Sequence, residues 1–530
     1  MAQPLQSINL VAPAFKGVNT EDSPITQDFS YADVADNAVI DKRGRIAARK
    51  GIDLKTENKA AAGLGTDYIH KIHHFYNDAG SDVVFSAGNN KIFTGTTTLA
   101  AQTVTVDATE SAYTITDNNW KIVNFNEACY FFQRGYQPLV YTTSGGLETF
   151  YSYTGSATPS YLYCHEALAA FGRLWVVDST EGSQTIYWSD LLIGTSFTGG
   201  SSGSINVAKA WPDGFDEIRA LAAHNNSLII FGKHSILVYG NASSPATMGL
   251  VDTVAGVGCI CRNSVQHIGT DILFMSETGL KSFGRTIQEK SLPLTDLSAT
   301  IKTELILEVS GRTAPTASVY SPENSFYLIT FPSSKTTYCF DLKGRLENGG
   351  YRVTRWPSSS FTAYERKSDG TLLIGNIDGV GEYSGYYDKY WDGTDIVNGS
   401  YRFRYYSPAL TFGDPSKTKI LKKLRPTVVG ATQGVAFVKW AYDFETAYST
   451  QSFQIGGQDT YYYNDSNSQF GTRTDGLPET KFSTGINIER KAVNTTGSGS
   501  VITIGLEADI FGSPLSLQEI NVLALIGKTI

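Results

Sequence analysis

One pattern limits the fold more than any other, because the chain repeats it. Residues 221–240, LAAHNNSLIIFGKHSILVYG, set two apolar runs around a polar turn and finish on an aromatic residue and a glycine. Residues 265–284, VQHIGTDILFMSETGLKSFG, do the same. The pattern also fits 82–95, 127–143, 167–190, 318–342 and 361–385. These amount to about seven copies at spacings near 40 to 50 residues, a period that belongs to propellers, solenoids or arrays. Each copy reads as a hairpin of short strands bounded by Asn, Gly, Ser or Asp. A single sheet of this kind cannot bury both faces, so neighbours must pack face to face, and radial closure leaves only short edges. The expectation is an all-β fold: a β-propeller of about seven blades, the count blurred by insertions to between six and eight. A pair of β-sandwiches is the competing architecture. The Gly-His and Trp-Asp spacing of WD40 blades and the glycine pair of kelch blades are both missing.

Composition agrees with strands. The chain has 30 Tyr, 27 Phe and 51 Gly among its 530 residues, and aromatic residues with frequent glycine turns favour sheet over helix. No run of about 18 apolar residues is present, so no membrane span is expected. The opening lacks a basic start, an apolar stretch and a small-residue cleavage site, so no secretory leader is expected. The net charge of -8 argues against a general nucleic-acid binder, which needs a basic surface to displace counterions.

The ends depart from the repeat. Residues 1–60 are polar and without periodicity and are expected to form an extended N-terminal arm. Arg43, Arg45, Arg49 and Lys50 in this arm could meet an acidic partner or simply face water. Blades are expected over 61–400, with 401–530 a second all-β, sandwich-like unit. A long loop near 451–480 carries Tyr461, Tyr462 and Tyr463, and loops of that length usually have a function or lack order. Neither end is needed to close a propeller in this reading, so removing residues 1–55 should leave the blades folded.

Candidate chemistry is sparse. Asp190, Asp213, Asp216 and Glu217 could supply a pair of carboxylates for glycoside hydrolysis, but WPDGFDE has the composition of a turn. Cys259 and Cys261 with His267 lack a second cluster to complete a tetrahedral metal site. His70, His73 and His74 share a segment that reads as a strand of the first blade, IHKIHHF. No nucleophile elbow, zinc-protease helix or phosphate loop occurs. The expectation is a protein that is not an enzyme, with no catalytic residues, no cofactor and no metal.

The order of motifs resembles the tail-nozzle family of short-tailed bacteriophages, also described as tail tubular protein B-like or packaged-DNA stabilisation proteins. GVNTEDSPITQDFSYADVADNAVIDKRGRIAARKG is similar to the family's opening. WPDGFDEIRALAAHNNSLIIFGKHSILVYG looks like its central signature, and GVGCICRNSVQHIGTDILFMSETGLKSFG and LQEINVLALIGK like its continuation and close. The resemblance is strongest over 211–284; the loops are this chain's own. It implies a virion protein of the tail, assembled in the host cytoplasm as a homohexameric ring. Such a ring would sit below the portal and the head-to-tail adaptor, continue the channel for double-stranded DNA, and support fibre, spike or needle proteins. An excess of acidic over basic side chains suits a lumen that DNA passes without sticking, with Lys422, Lys423 and Arg425 then expected on the outside or at subunit contacts. The alternative is a propeller that binds or cleaves carbohydrate, which the many aromatic faces would also serve.

Overall fold

Four of the hairpins close through two-residue turns whose central residues both have positive φ. They are Asn89-Asn90, Asn126-Glu127, Phe171-Gly172 and Asn225-Asn226. This is type I′ geometry, whose twist matches that of the flanking strands, and Asn and Gly tolerate it best. In a computed structural model of the chain, these hairpins are the units of a β-propeller. Residues 5–106, 112–150, 163–178, 184–289, 296–430, 433–456, 460–461, 481–482 and 488–529 are described.

Blade 1 runs Lys71–Tyr76, Asp82–Gly88, Lys91–Thr94 and Ala100–Ala101. Blade 2 runs Lys121–Phe125, Ala128–Phe132, Leu139–Thr142 and Gly146–Thr149. Blade 3 (Cys164–Ala170 to Gly203–Asn206) and blade 4 (Ile218–His224 to Gly249–Val254) follow the same four-stranded plan. Blade 5 has three strands, Gln266–His267, Ile272–Ser276 and Gly279–Ser282. There the chain leaves into the helix Phe283–Gln288, capped by the Ser282 side chain, which accepts from the Arg285 amide. Blade 6 runs from Ala317–Ser321 to Tyr351–Trp356, and blade 7 comprises Ala363–Arg366, Leu372–Asn376 and Gly379–Tyr383 with Ile52–Leu54 as its fourth strand. The propeller thus has six four-stranded blades and a three-stranded sheet in a seventh place, and each copy of the sequence pattern falls on one of them.

Aromatic and aliphatic side chains fill the gaps between blades. Phe85 meets Phe131 edge-on between blades 1 and 2, with ring centroids 5.1 Å apart. Trp175 and Trp188 pack between blades 3 and 4, Phe231 and Phe274 between 4 and 5, and Trp356 and Tyr383 between 6 and 7. Ile72, Phe93 and Leu373 join blade 7 back to blade 1 and complete the circle.

The first sixty residues correct the expectation of an extended arm separate from the blades. Ile52–Leu54 pairs antiparallel with Gly379–Tyr383 and is the fourth strand of blade 7. Val34–Asp36 lies between Tyr351–Trp356 of blade 6 and Tyr401–Tyr406, joining them into one nine-stranded sheet. Ala38–Ile40 and Ile46–Ala48 form a hairpin, and both Ile46–Ala48 and Leu5–Val11 pair with Ser516–Thr529. Leu10, Val18, Ala35 and Ile46 are fully buried as a result. The physical reason is burial: apolar residues in strands of three reach two cores that lie close together.

Residues after 400 form a sandwich. One layer contains Lys417–Val429 and Ser516–Thr529; the other contains Tyr401–Tyr406, Gln433–Tyr442, Ser449–Gly456 and Ile502–Ile510. Phe403, Leu421, Leu424, Ile504, Leu506 and Val522 meet in a shared core that also takes in Tyr327 and Ile329 of blade 6. Because the second layer is the continuation of blade 6, propeller and sandwich are built on a common sheet. The predicted loop near 451–480 begins as the strand Ser449–Gly456 at the edge of that sheet. Apart from Thr460–Tyr461, the rest of it lies outside the described residues.

Candidate functional site

The first strands of blades 6, 7, 1, 2, 3 and 4 neighbour one another in that order, and Arg262–Ser264 links blade 4 to blade 6, so these inner segments surround the axis. Alternation presents the side chains of these strands to the blades on either side, and several of them are charged: Lys71, Lys121, Glu166 and Glu365. They lie in otherwise apolar strands, and sequence reasoning missed them. The available signal was a charged residue recurring near the start or end of the first strand in a copy, as in KIHHFY, KIVNF, CHEALAA and AYER.

At one end of the axis a cavity of about 560 Å³ opens among blades 1, 2, 5, 6 and 7. Two of its lining side chains, Lys121 and Arg262, belong to a charge network. Glu166, fully buried, holds the Lys121 ammonium at 2.6 Å and lies 3.8 Å from Arg262 Nε. Arg262 also donates to the His165 carbonyl at 2.6 Å and to Asn119 Oδ1 at 2.6 Å, tying blades 2, 3 and 5 together. Desolvation pushes the Arg262 pKa down, and the Glu166 carboxylate partly offsets it. A buried charge is tolerated best when paired and hydrogen-bonded; Arg262 meets both conditions, whereas Glu166 is ion-paired but neither of its oxygens has a hydrogen-bond partner among the described residues.

Glu365 and His73 form the other polar contact. Asn124 donates to the His74 carbonyl at 2.8 Å, which turns its Oδ1 toward His73 Nε2, also at 2.8 Å. His73 therefore carries its proton on Nε2 and presents Nδ1 to Glu365 Oε1 at 3.6 Å. Desolvation pushes Glu365 up to about 7, against the opposing pull of Lys71 and the His74 amide. Desolvation, and then the Lys71 charge, push His73 down to about 3. Both groups are held toward their neutral forms.

The two shifts act on stability in opposite directions. Glu365, raised, contributes stability that is complete below its unfolded value of 4.5 and is lost as pH rises through about 7. His73, lowered, contributes stability present above its unfolded value of 6.5 and lost as pH falls through about 3. Glu365→Gln should raise stability at pH 8 by at most roughly 3 kcal/mol, less whatever water reaches the side chain, and change little at pH 4. Urea midpoints of parent and variant at the two pH values check this.

The residues proposed from sequence are dispersed. Asp216 is buried, and its carboxylate accepts from the Lys233 amide at 2.9 Å and the His234 amide at 2.8 Å. Glu217 pairs with Arg219 at 2.9 Å and Arg134 at 3.4 Å. Asp213 is exposed, and Asp190 accepts from the Ser201 amide and hydroxyl to hold a turn. WPDGFDE is thus the brace of the turn between two strands of blade 4. Cys259 and Cys261 are buried near Ser264, with burial pushing Cys259 up to about 12. His70, His73 and His74 do not converge: they contact Asp67, Asn124 and Asp82 respectively. In the first sixty residues, Arg45 pairs with Asp41 and Arg49 with Asp388, both within the chain. On the strand Lys417–Val429, Lys422 is exposed while Lys423 and Arg425 are half-buried.

The residues that carried the family resemblance cluster at the joint of blades 4 and 5. A Cβ on Gly232 would come 2.4 Å from Asp216 Oδ2, and one on Gly258 would come 2.3 Å from the Lys233 carbonyl carbon. Ser264 Oγ donates to the Cys261 carbonyl at 2.6 Å and accepts from the Met275 amide at 2.9 Å. Close backbone approach and side-chain braces explain why glycine, aspartate and serine stand there. Gly258→Ala should destabilise the chain by about 1–3 kcal/mol, readable as a lowered urea midpoint, with the shift concentrated in blades 4 and 5 by hydrogen exchange.

Fold and site together define an all-β propeller with a charged, partly filled axis, fused to a β-sandwich. No family model matches the chain, and no curated protein sequence matches it. Among solved structures it is similar to the extracellular domain of the one component system BT4673 from B. thetaiotaomicron, at 10% identity and a TM-score of 0.41, over 86% of this chain and 62% of that one. It is similar to the extracellular domain of the hybrid two component system BT3049 from the same organism, at 13% identity and a TM-score of 0.39, over 61% of this chain and 40% of that one. It is also similar to the WD40 β-propeller domain of Doa1, at 12% identity and a TM-score of 0.36, over 63% of this chain and 96% of that one. The chain therefore matches less than two thirds of either bacterial domain, and the propeller stands on its own strand pairing. No described helix is long and apolar enough to cross a membrane.

Proposed function

We propose that the chain is one subunit of a homohexameric ring in a phage tail, the nozzle or hub that continues the DNA channel below the portal and adaptor. The observation that carries this reading is the motif order of residues 211–284, whose glycines, Asp216 and Ser264 form the connected joint between blades 4 and 5. The common sheet supports it as well, since a ring that resists packaged DNA needs subunits in which propeller and sandwich do not hinge freely. The DNA path would lie between subunits. The axial cavity of one propeller is about 560 Å³ and is lined in part by Lys121 and Arg262, both paired with Glu166. A duplex roughly 20 Å across does not fit such an axis. On this reading the ring lies in the virion tail, contacts the adaptor on one side and fibre, spike or needle proteins on the other, and performs no catalysis.

A lumen that lets DNA slide must not capture phosphates, because each captured phosphate releases counterions and makes binding tight and salt-dependent. The purified ring should therefore hold duplex DNA weakly, with little change between 50 and 200 mM salt (roughly the range in which basic channels lose most affinity). Filter binding across that range is the test. Tight, steeply salt-sensitive retention of duplex would contradict a passive conduit.

A further inference from the structure

We propose that the axial cavity is a binding site for a small organic anion, a carboxylate- or phosphate-bearing molecule of about monosaccharide size, with Lys71 as the cation that receives its charge. The cations around the cavity differ in what they are committed to. Lys121 is held by Glu166 at 2.6 Å, and Arg262 by Glu166, His165 and Asn119. Arg366 is paired with Glu323. Lys71 and Lys335 also line the cavity, and among the described residues neither makes a hydrogen bond or ion pair through its side chain; Lys335 is exposed to water, whereas Lys71 is half-buried.

Its surroundings make that isolation costly. Burial pushes the Lys71 pKa down; the Glu365 carboxylate opposes this, the like charges of Lys121 and Arg262 add to it, and Glu166 opposes more weakly. Glu365 is itself held toward its neutral form, so it is a weak counterion at neutral pH. An incoming anion would restore the missing partner, and in a low-dielectric pocket that partnership is stronger than at a surface. The volume falls within the range of small-molecule sites, about 300–1,000 Å³. The walls supply both the polar edges and the aromatic bodies such a ligand needs, from Asn118, Asn119, Tyr68 and Phe361. The site lies within one chain, so it does not depend on assembly into a ring and stands or falls apart from the conduit reading.

The test is isothermal titration calorimetry on the full chain with three probes: D-glucuronate, D-glucose 6-phosphate and uncharged D-glucose. At least one anion should bind with one site per chain, and glucose should give no heat. Lys71→Met should weaken the anion at least tenfold with the far-UV spectrum unchanged, and Lys71→Arg should keep most of the affinity. Should Lys71→Met fail to fold, Glu365→Gln at pH 8 decides. Removing the opposing carboxylate should then tighten the anion several-fold, and unchanged or weaker binding would overturn the site. It would equally be overturned by no binding of either anion up to roughly 10 mM, by equal affinity in a folded Lys71→Met protein, or by glucose binding as tightly as the anions.

Discussion

Replacing Arg49 by alanine should cost the fold about 3–5 kcal/mol, the range for breaking a buried ion pair from one side. Arg49 is 3% exposed. It donates to Asp388 through two nitrogens, at 3.0 and 2.6 Å, and to Asn37 Oδ1 at 3.0 Å and the Lys50 carbonyl at 2.9 Å. It also lies over the Tyr401 ring, 4.2 Å from its centroid, and Tyr401 returns a hydrogen bond to the Arg49 carbonyl. One side chain thus joins the N-terminal segment, the hairpin after blade 7 and the first strand of the sandwich. Truncation would leave Asp388 without its strongest partner, although the Ile52 amide would still donate to it. Lysine should rescue little, because an ammonium cannot form the planar fork. The control is Arg43→Ala, at an exposed position where a change within about 0.5 kcal/mol is expected. Urea midpoints with unchanged m-values read the difference.

Removing residues 1–55 should abolish cooperative folding, contrary to what the polar composition of that segment suggests. The deletion removes the closing strand of blade 7 and the strand that links blade 6 to the sandwich. It also removes Leu10, Val18, Ile40, Ile46, Ile52 and Leu54, each at most 4% exposed. At roughly 1.5–3 kcal/mol per buried side chain of this size, the loss equals or exceeds the about 5–15 kcal/mol by which domains are stable. It also opens the edges of Gly379–Tyr383, Tyr351–Trp356 and Tyr401–Tyr406 to pairing with other chains. The truncated protein is expected to be aggregated or readily proteolysed. A soluble 56–530 fragment with a sharp unfolding transition would show that the closing strand and the insertion are dispensable.

The blades were legible because their signal is local. Alternation over four to seven residues, closed by turns such as Asn225-Asn226, marks a hairpin wherever it falls, and inter-blade packing needs only that those hairpins be apolar on both faces. The role of residues 1–60 was not legible for the opposite reason. Strands of three residues, such as Val34–Asp36 and Ile52–Leu54, carry no period, and their partners Arg355 and Tyr383 stand hundreds of positions away. For that reason the polar stretch between them dominated the reading, and Arg49 looked like a surface charge. The boundary near 400 was half legible: the blade pattern does stop there, but the shared sheet is a long-range pairing. The turn residues of WPDGFDE were read correctly as turn formers, while the axial cluster was missed. Lys71, Lys121, Glu166 and Glu365 each look like an ordinary exposed residue of an alternating strand until ring closure sets the neighbouring blade against that face.

The central claim, that this propeller works as a subunit of a ring around DNA, is tested most directly by native mass measurement paired with negative-stain images of the purified full-length chain. The account predicts a species of six times the chain mass, imaged as a closed ring whose lumen admits a duplex roughly 20 Å across. A chain that stays monomeric at micromolar concentration, or a closed assembly with no lumen of that width, would contradict it.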